Sequence, residues 1–114
     1  MPMPTDIAFD AASAPQDIER RSFALIDALV PEPRPFSGAL WEVARRCIHT
    51  LGDVDIAASL RLSEEGLARG VAALRRGCAI FTDTRMAAAG IPRRRLDPLG
   101  CVVEPMMSLP GLDA

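Results

Sequence analysis

LRLSEEGLARGVAALRRGCAIFTDTRMAAAG, residues Leu60–Gly90, decides the fold class. Ser63 followed by Glu64 and Glu65 is a helix start, because a hydroxyl caps free backbone N–H groups and acids suit the positive end of the helix dipole. Leu67, Val71 and Leu74 fall on one face of that helix, and Gly77 after Arg75 and Arg76 marks its end. The apolar run Cys78–Phe81 comes straight after this stop and reads as a buried strand. Leu60–Leu62, ahead of the helix, reads as a short strand. Asp83 or Thr84 then starts a short helix over Arg85–Ala89, which Gly90 stops.

Outward from this stretch, Ile91–Pro98 (IPRRRLDP) reads as a loop. Cys101–Glu104 (CVVE) reads as a third strand, and residues 105–114 as an irregular tail. Upstream, Ile18, Ser22, Leu25, Ile26 and Leu29 recur at helical spacing, predicting a helix from about Gln16 to Val30. Pro31, Pro33 and Pro35 forbid its continuation, so PEPRPF is an extended connector. Ser37 caps a second helix over about 37–51, with Leu40, Val43, Ala44, Cys47 and Ile48 as its apolar stripe. A turn or short helix follows Gly52, with Asp53 and Asp55 as turn residues. Residues 1–15, rich in Pro and Ala, read as a flexible arm. The expectation is therefore one α/β domain over residues 16–104. It has two leading helices and a three-layer-type arrangement around a mostly parallel sheet of about three or more short strands.

The 114 residues carry 13 basic and 15 acidic side chains, a net charge of −2. Every basic residue is Arg. That balance, with few aromatic residues to stack on bases, argues against a nucleic-acid binder. No apolar run approaches the roughly 20 residues that span a membrane. The N-terminus lacks the basic and apolar regions of a secretory signal, so a cytoplasmic setting is expected. Three cysteines with no CxxC spacing argue for free thiols over disulfides or zinc, and no metal site is expected. No phosphate-binding glycine loop and no nucleophile elbow is present.

His49 is the only histidine, the one side-chain type suited to moving a proton near neutral pH. The plain alternative is a histidine at a helix C-terminus, a position that the helix dipole favours. Asp83 follows a strand, where α/β ligand sites lie, though capping a helix is the commoner use of such an Asp. Arg93–Arg95 are a solvated run or a clamp for carboxylate or phosphate, since guanidinium forks bind oxyanions bidentately.

Three stretches, in order, resemble the precorrin-8X methylmutases, the precorrin isomerases of cobalamin biosynthesis. They are IERRSFALID (Ile18–Asp27), VARRCIHTLGDVD (Val43–Asp55) and LRLSEEGLARGVAALRRGCAIFTDTRMAAAGIPRRRL (Leu60–Leu96). The first holds an Arg-Ser-Phe, the second an Arg-x-x-His before Gly and acids, the third an Asp-Thr-x-Met and a Gly-Ile. The resemblance implies an isomerase that shifts a methyl group from C11 to C12 of the corrin ring, giving hydrogenobyrinic acid. It implies no cofactor, because the methyl stays within the substrate. It puts the family's proton-donating histidine at His49 and its binding-site serine at Ser22, next to Arg21. Its Asp-Thr-x-Met turn falls on Asp83, Thr84 and Met86. The corrinoid substrate carries many carboxylates, so Arg21, Arg46 and Arg93 suit its rim. The other reading is a non-catalytic corrinoid-binding or assembly protein.

The family's chains continue into a second half with glycine-rich segments that have no counterpart here, and Pro92 stands where a polar residue is common. A sheet cut midway leaves an unpaired edge and an open apolar face. Pairing is therefore expected, either as a homo-oligomer or with a complementary C-terminal half.

Overall fold

The structure, a computed structural model, describes residues 14–111. Most of the expected N-terminal arm lies outside the described residues. The chain divides into two compact units, Met1–Leu62 and Ser63–Ala114.

The first unit is helical. Helix α1 spans Pro15–Leu29 and α2 spans Gly38–Leu51, followed by a 3-10 helix over Val54–Ala58. Pro15 suits the first turn of α1, where its missing N–H would be unpaired anyway. The end of α1 is closed by a side chain: Arg34 Nε donates to the Val30 carbonyl at 2.6 Å and Nη2 to the Asp27 carbonyl at 3.0 Å. The connector contains a cis Glu32–Pro33 bond. Ser37 sits at the N-cap of α2 but its hydroxyl makes no cap bond, which corrects the expected cap. Its extended backbone alone sets the helix start. Gly52, at φ 67°, closes α2 in the left-handed conformation. Asp53 accepts from the Asp55 amide at 2.9 Å and so starts the 3-10 turn, as the sequence suggested. Ile26, Trp41, Ala44, Ile48 and Ala57 form the core, with Phe23, Leu60 and Leu62 among the side chains packed on it.

The second unit is α/β. Helix α3 spans Glu64–Arg75, strand β1 Ala79–Thr82, helix α4 Arg85–Gly90, the one-turn α5 Arg93–Leu96 and strand β2 Val102–Pro105. Ser63 Oγ accepts from the Gly66 amide at 3.0 Å, the cap that the sequence predicts. At the other end of α3, the Gly77 amide donates to the Leu74 carbonyl and the Cys78 amide to the Ala73 carbonyl. This pair of bonds needs a left-handed residue, and Gly77 has φ 75°. A Cβ there would also lie 2.9 Å from the Leu99 carbonyl oxygen. Strands β1 and β2 pair in parallel, with Ala79 opposite Val102 and Thr82 opposite Pro105.

Three expectations need correction. The sheet has two strands among the described residues, because Leu60–Leu62 forms none. Leu60 and Leu62 are spent on the helical core of the first unit instead. The Arg93–Arg95 run is not a loop: Pro92 accepts from the Arg95 amide at 3.0 Å and Leu96 is buried, which winds one turn of helix, and a 3-10 turn over Asp97–Leu99 follows. The segment after Glu104 is more ordered than a tail, with Pro105 ending β2 and a 3-10 turn over Met106–Ser108. It is tied back by the Met107 amide on the Asp83 carbonyl, and by Arg85 Nε donating to Ser108 Oγ at 2.9 Å.

Candidate functional site

The facing sides of α1 and α2 build a small constellation around Phe23. His49 lies in the last turn of α2. Its ring meets Phe23 of α1 edge-on, with centroids 5.1 Å apart and planes at 61°. The guanidiniums of Arg45 and Arg46 lie 4.7 Å and 4.6 Å from the same Phe23 ring. An aromatic face attracts cations, so one half-buried ring orders two charges and an imidazole. Each arginine is also held by an acid. Arg45 Nη1 donates to Asp27 Oδ2 at 2.9 Å, and Arg46 is ion-paired with Glu19. Asp27 receives the Trp41 indole N–H at 2.9 Å on its other oxygen. Arg45 Nε is buried without a partner among the described residues.

His49 itself is exposed, so its imidazole can reach a ligand from solvent. Arg21 and Ser22 precede Phe23 on α1, with Arg21 exposed and Ser22 half-buried. Sequence reading named Arg21, Ser22, Arg46 and His49 and missed Phe23. The signal was present: residue 23 ends the Arg-Ser-Phe run, one helical turn before Ile26 of the core.

In the second unit, Asp83, Thr84 and Met86 surround the turn from β1 into α4. Thr84 is the cap of α4, its Oγ1 accepting from the Ala87 amide at 3.1 Å. Asp83 Oδ1 accepts from the Thr84 amide at 2.8 Å, and Thr82 Oγ1 donates to the Thr84 carbonyl at 2.8 Å. Asp83 therefore shapes the turn without capping the helix. Met86 is 85% exposed. Arg93 lines a cavity of about 430 Å³ with Asp97, Ala88, Ile91, Val102 and Val103.

All three thiols are free. Cys101 is buried, while Cys47 and Cys78 are only half-buried. Burial pushes the Cys101 thiol above its ordinary range, with Cys78 beside it adding to the effect. Cys101 Sγ donates to the Leu74 carbonyl at 3.3 Å. No described helix is long and apolar enough to cross a membrane.

Residues 17–113 match the family model of precorrin-8X methylmutase. A cobalt-precorrin-8 methylmutase of Salmonella typhimurium is 41% identical over 90 residues, covering 75% of this chain and 43% of that protein. One from Leptospira interrogans is 35% identical over 86 residues, covering 75% of this chain and 39% of the relative. The crystal structure of a precorrin-8x methyl mutase from Thermus thermophilus superposes with a TM-score of 0.75 at 34% identity, over 83% of this chain and 46% of that one. The chain thus spans about two-fifths of the length of the curated relatives it matches. With a family match over most of its length, and the α/β fold shared with a solved member, the chain belongs to the precorrin-8X methylmutase family.

Proposed function

We propose that this chain acts in the methylmutase step of corrin-ring biosynthesis, in the cytoplasm, on precorrin-8X or its cobalt form, with His49 as the proton donor. The observation that carries the reading is His49 held edge-on against Phe23 at the end of α2, exposed on one side. The imidazolium gives a proton to the macrocycle. The protonated ring is more electrophilic, which eases migration of the methyl, with its bonding pair, from C11 to C12. The neutral imidazole then takes a proton back from the rearranged macrocycle, so substrate and product are isomers and the imidazolium is restored with no external group consumed.

Arg21, Ser22 and Arg46 of the first unit are assigned to the substrate rim. Guanidinium forks suit peripheral carboxylates, and the aromatic contact keeps Arg46 in place. Asp83, Thr84 and Met86 are assigned to substrate by the family motif, and Arg93 by the fit of its guanidinium to a substrate carboxylate. Because Thr84 Oγ1 already accepts a helix amide, its role is to hold the turn while its hydroxyl proton remains available. The partner in this reading is a second copy of the chain or a complementary polypeptide.

The test is a visible-absorbance titration of the purified chain with hydrogenobyrinic acid, with His49→Ala alongside, followed by turnover of precorrin-8X. We expect a saturable shift, and a turnover that falls by on the order of 10²–10⁴ in the variant, the usual worth of a general acid. A shift without turnover, equal in both proteins, favours the non-catalytic corrinoid-binding reading. No shift at all overturns both.

A further inference from the structure

Cys78 and Cys101 hold matching places in the second unit. Each is the residue just before a strand, Cys78 before β1 and Cys101 before β2. The parallel register pairs Ala79 with Val102, and one step back it sets Cys78 beside Cys101. Paired strands run about 4.8 Å apart, and side chains in register leave the sheet on the same face. The two backbones are also close here. A Cβ on Gly77 would lie 2.9 Å from the Leu99 carbonyl oxygen and 3.3 Å from that of Gly100. The thiols themselves meet, in a side-chain hydrogen bond between Cys101 and Cys78. A disulfide needs Cα atoms roughly 4.4–6.8 Å apart with the Cβ atoms turned toward each other, and the strand spacing falls inside that window.

Their surroundings give the two thiols different parts. Cys78 is half-buried, whereas Cys101 is 8% exposed. Burial also holds the proton on Cys101, which makes its sulfur the poorer first nucleophile. The Cys101 thiol donates to the Leu74 carbonyl, and the Gly77 amide donates to the same oxygen. Loss of the thiol proton therefore leaves that acceptor with a partner. We infer that Cys78 and Cys101 are a modification site, a reversible disulfide between the starts of β1 and β2 that a hydroperoxide closes. The Cys78 thiolate attacks one peroxide oxygen and the O–O bond breaks. The departing oxygen takes a proton and leaves as water or an alcohol. Cys101 sulfur then attacks the sulfenic acid on Cys78. The S–S bond forms, the S–O bond breaks, and the hydroxyl leaves with the Cys101 proton as water. Two thiols give up two electrons and the hydroperoxide takes them. The bridge encloses Asp83, Thr84, Met86 and Arg93, so oxidation ties both ends of the segment that carries them. This inference rests on neither the catalytic nor the partner reading.

The test treats the full chain, in dilute solution, with hydrogen peroxide. Intact mass, free-thiol titration and tryptic mapping read the product. We expect two of the three thiols to disappear together, with the loss of two hydrogens in mass. Peptide 77–85 should be joined to the peptide that starts at Leu96, and dithiothreitol should separate them. Closing this loop should lower the unfolding constant in urea roughly 10²-fold. Cys47→Ala should form the link as the parent does, and Cys78→Ala, at a half-buried position, should not. Cys101→Ser should instead accumulate a sulfenic acid on Cys78 that dimedone captures. Melting curves of the variants confirm that each folds, and the peptide map of the parent needs no variant. A link to Cys47, a link between two chains, or three intact thiols overturns the inference. So does equal dimedone capture at Cys78 in the parent and in Cys101→Ser. A bridge that raises the unfolding constant also overturns it, because the two strands would then not present their sulfurs in bonding geometry.

Discussion

Phe23 shows how much one side chain can organise when it is neither fully buried nor fully exposed. Its edge meets His49, its ring holds Arg45 and Arg46, and its remaining surface packs on the core of the first unit. Cations gather on an aromatic face while each keeps its own carboxylate, so positive charge is concentrated without being left unpaired. Cys101 illustrates the opposite, a polarisable group used as packing. Its thiol holds its proton more tightly in the folded chain than in the unfolded one, because burial disfavours the thiolate and Cys78 lies alongside. A folded pKa raised above the unfolded value stabilises below the unfolded pKa and loses that contribution as pH rises through the folded one. We expect the midpoint of urea unfolding to fall on the alkaline side, above the ordinary thiol range. We expect Cys101→Ala to flatten that limb relative to its own value at pH 7.

Helices α1 and α2 are joined by Asp27 as much as by apolar packing. One carboxylate takes the Trp41 indole N–H and the Arg45 guanidinium, each at 2.9 Å, and Arg34 lies 4.4 Å over the Trp41 ring. Removing the carboxylate leaves the indole N–H and a half-buried guanidinium without their acceptor. Asp27→Ala should therefore cost about 1–3 kcal/mol, with partial exposure keeping it toward the lower end. Asp27→Asn should retain part of this through the Trp41 bond. Chemical denaturation of the two variants checks the order. Elsewhere the elements were legible because their signals are local. Ser63 caps α3 and Gly77 ends it, a left-handed glycine doing what no L side chain does cheaply. The one-turn helix at Arg93–Leu96 was hidden because its stabilisation comes from burying Leu96, a contact invisible in a run of three arginines.

At the scale of the molecule, the two units rest on different kinds of core. The first has one continuous cluster, with Ile48 the largest fully buried side chain at 1% exposure. Truncating a fully buried branched side chain costs roughly 2–4 kcal/mol, a large share of the roughly 5–15 kcal/mol that holds a domain folded. Ile48→Ala should lower the thermal midpoint sharply and loosen the helix that carries His49, so corrinoid binding at the proposed site should weaken faster with temperature than in the parent chain. A melting curve and a temperature series of the corrinoid titration check this. The second unit buries Leu96 and Cys101 but leaves Phe81, Met86, Val102 and Met107 largely in solvent.

Periodicity, caps and stops are written in neighbouring residues, so the sequence by itself determined both leading helices, α3 with its cap and end, the two strands and their parallel α/β class. Short motifs in order also pointed to the family and to His49. Tertiary structure alone decided that Leu60–Leu62 is no strand, since a strand exists only where a partner offers its backbone and these leucines are taken by the helical core. It alone decided that Phe23 gathers His49, Arg45 and Arg46, because those contacts join helices whose spacing along the chain says nothing about which faces meet.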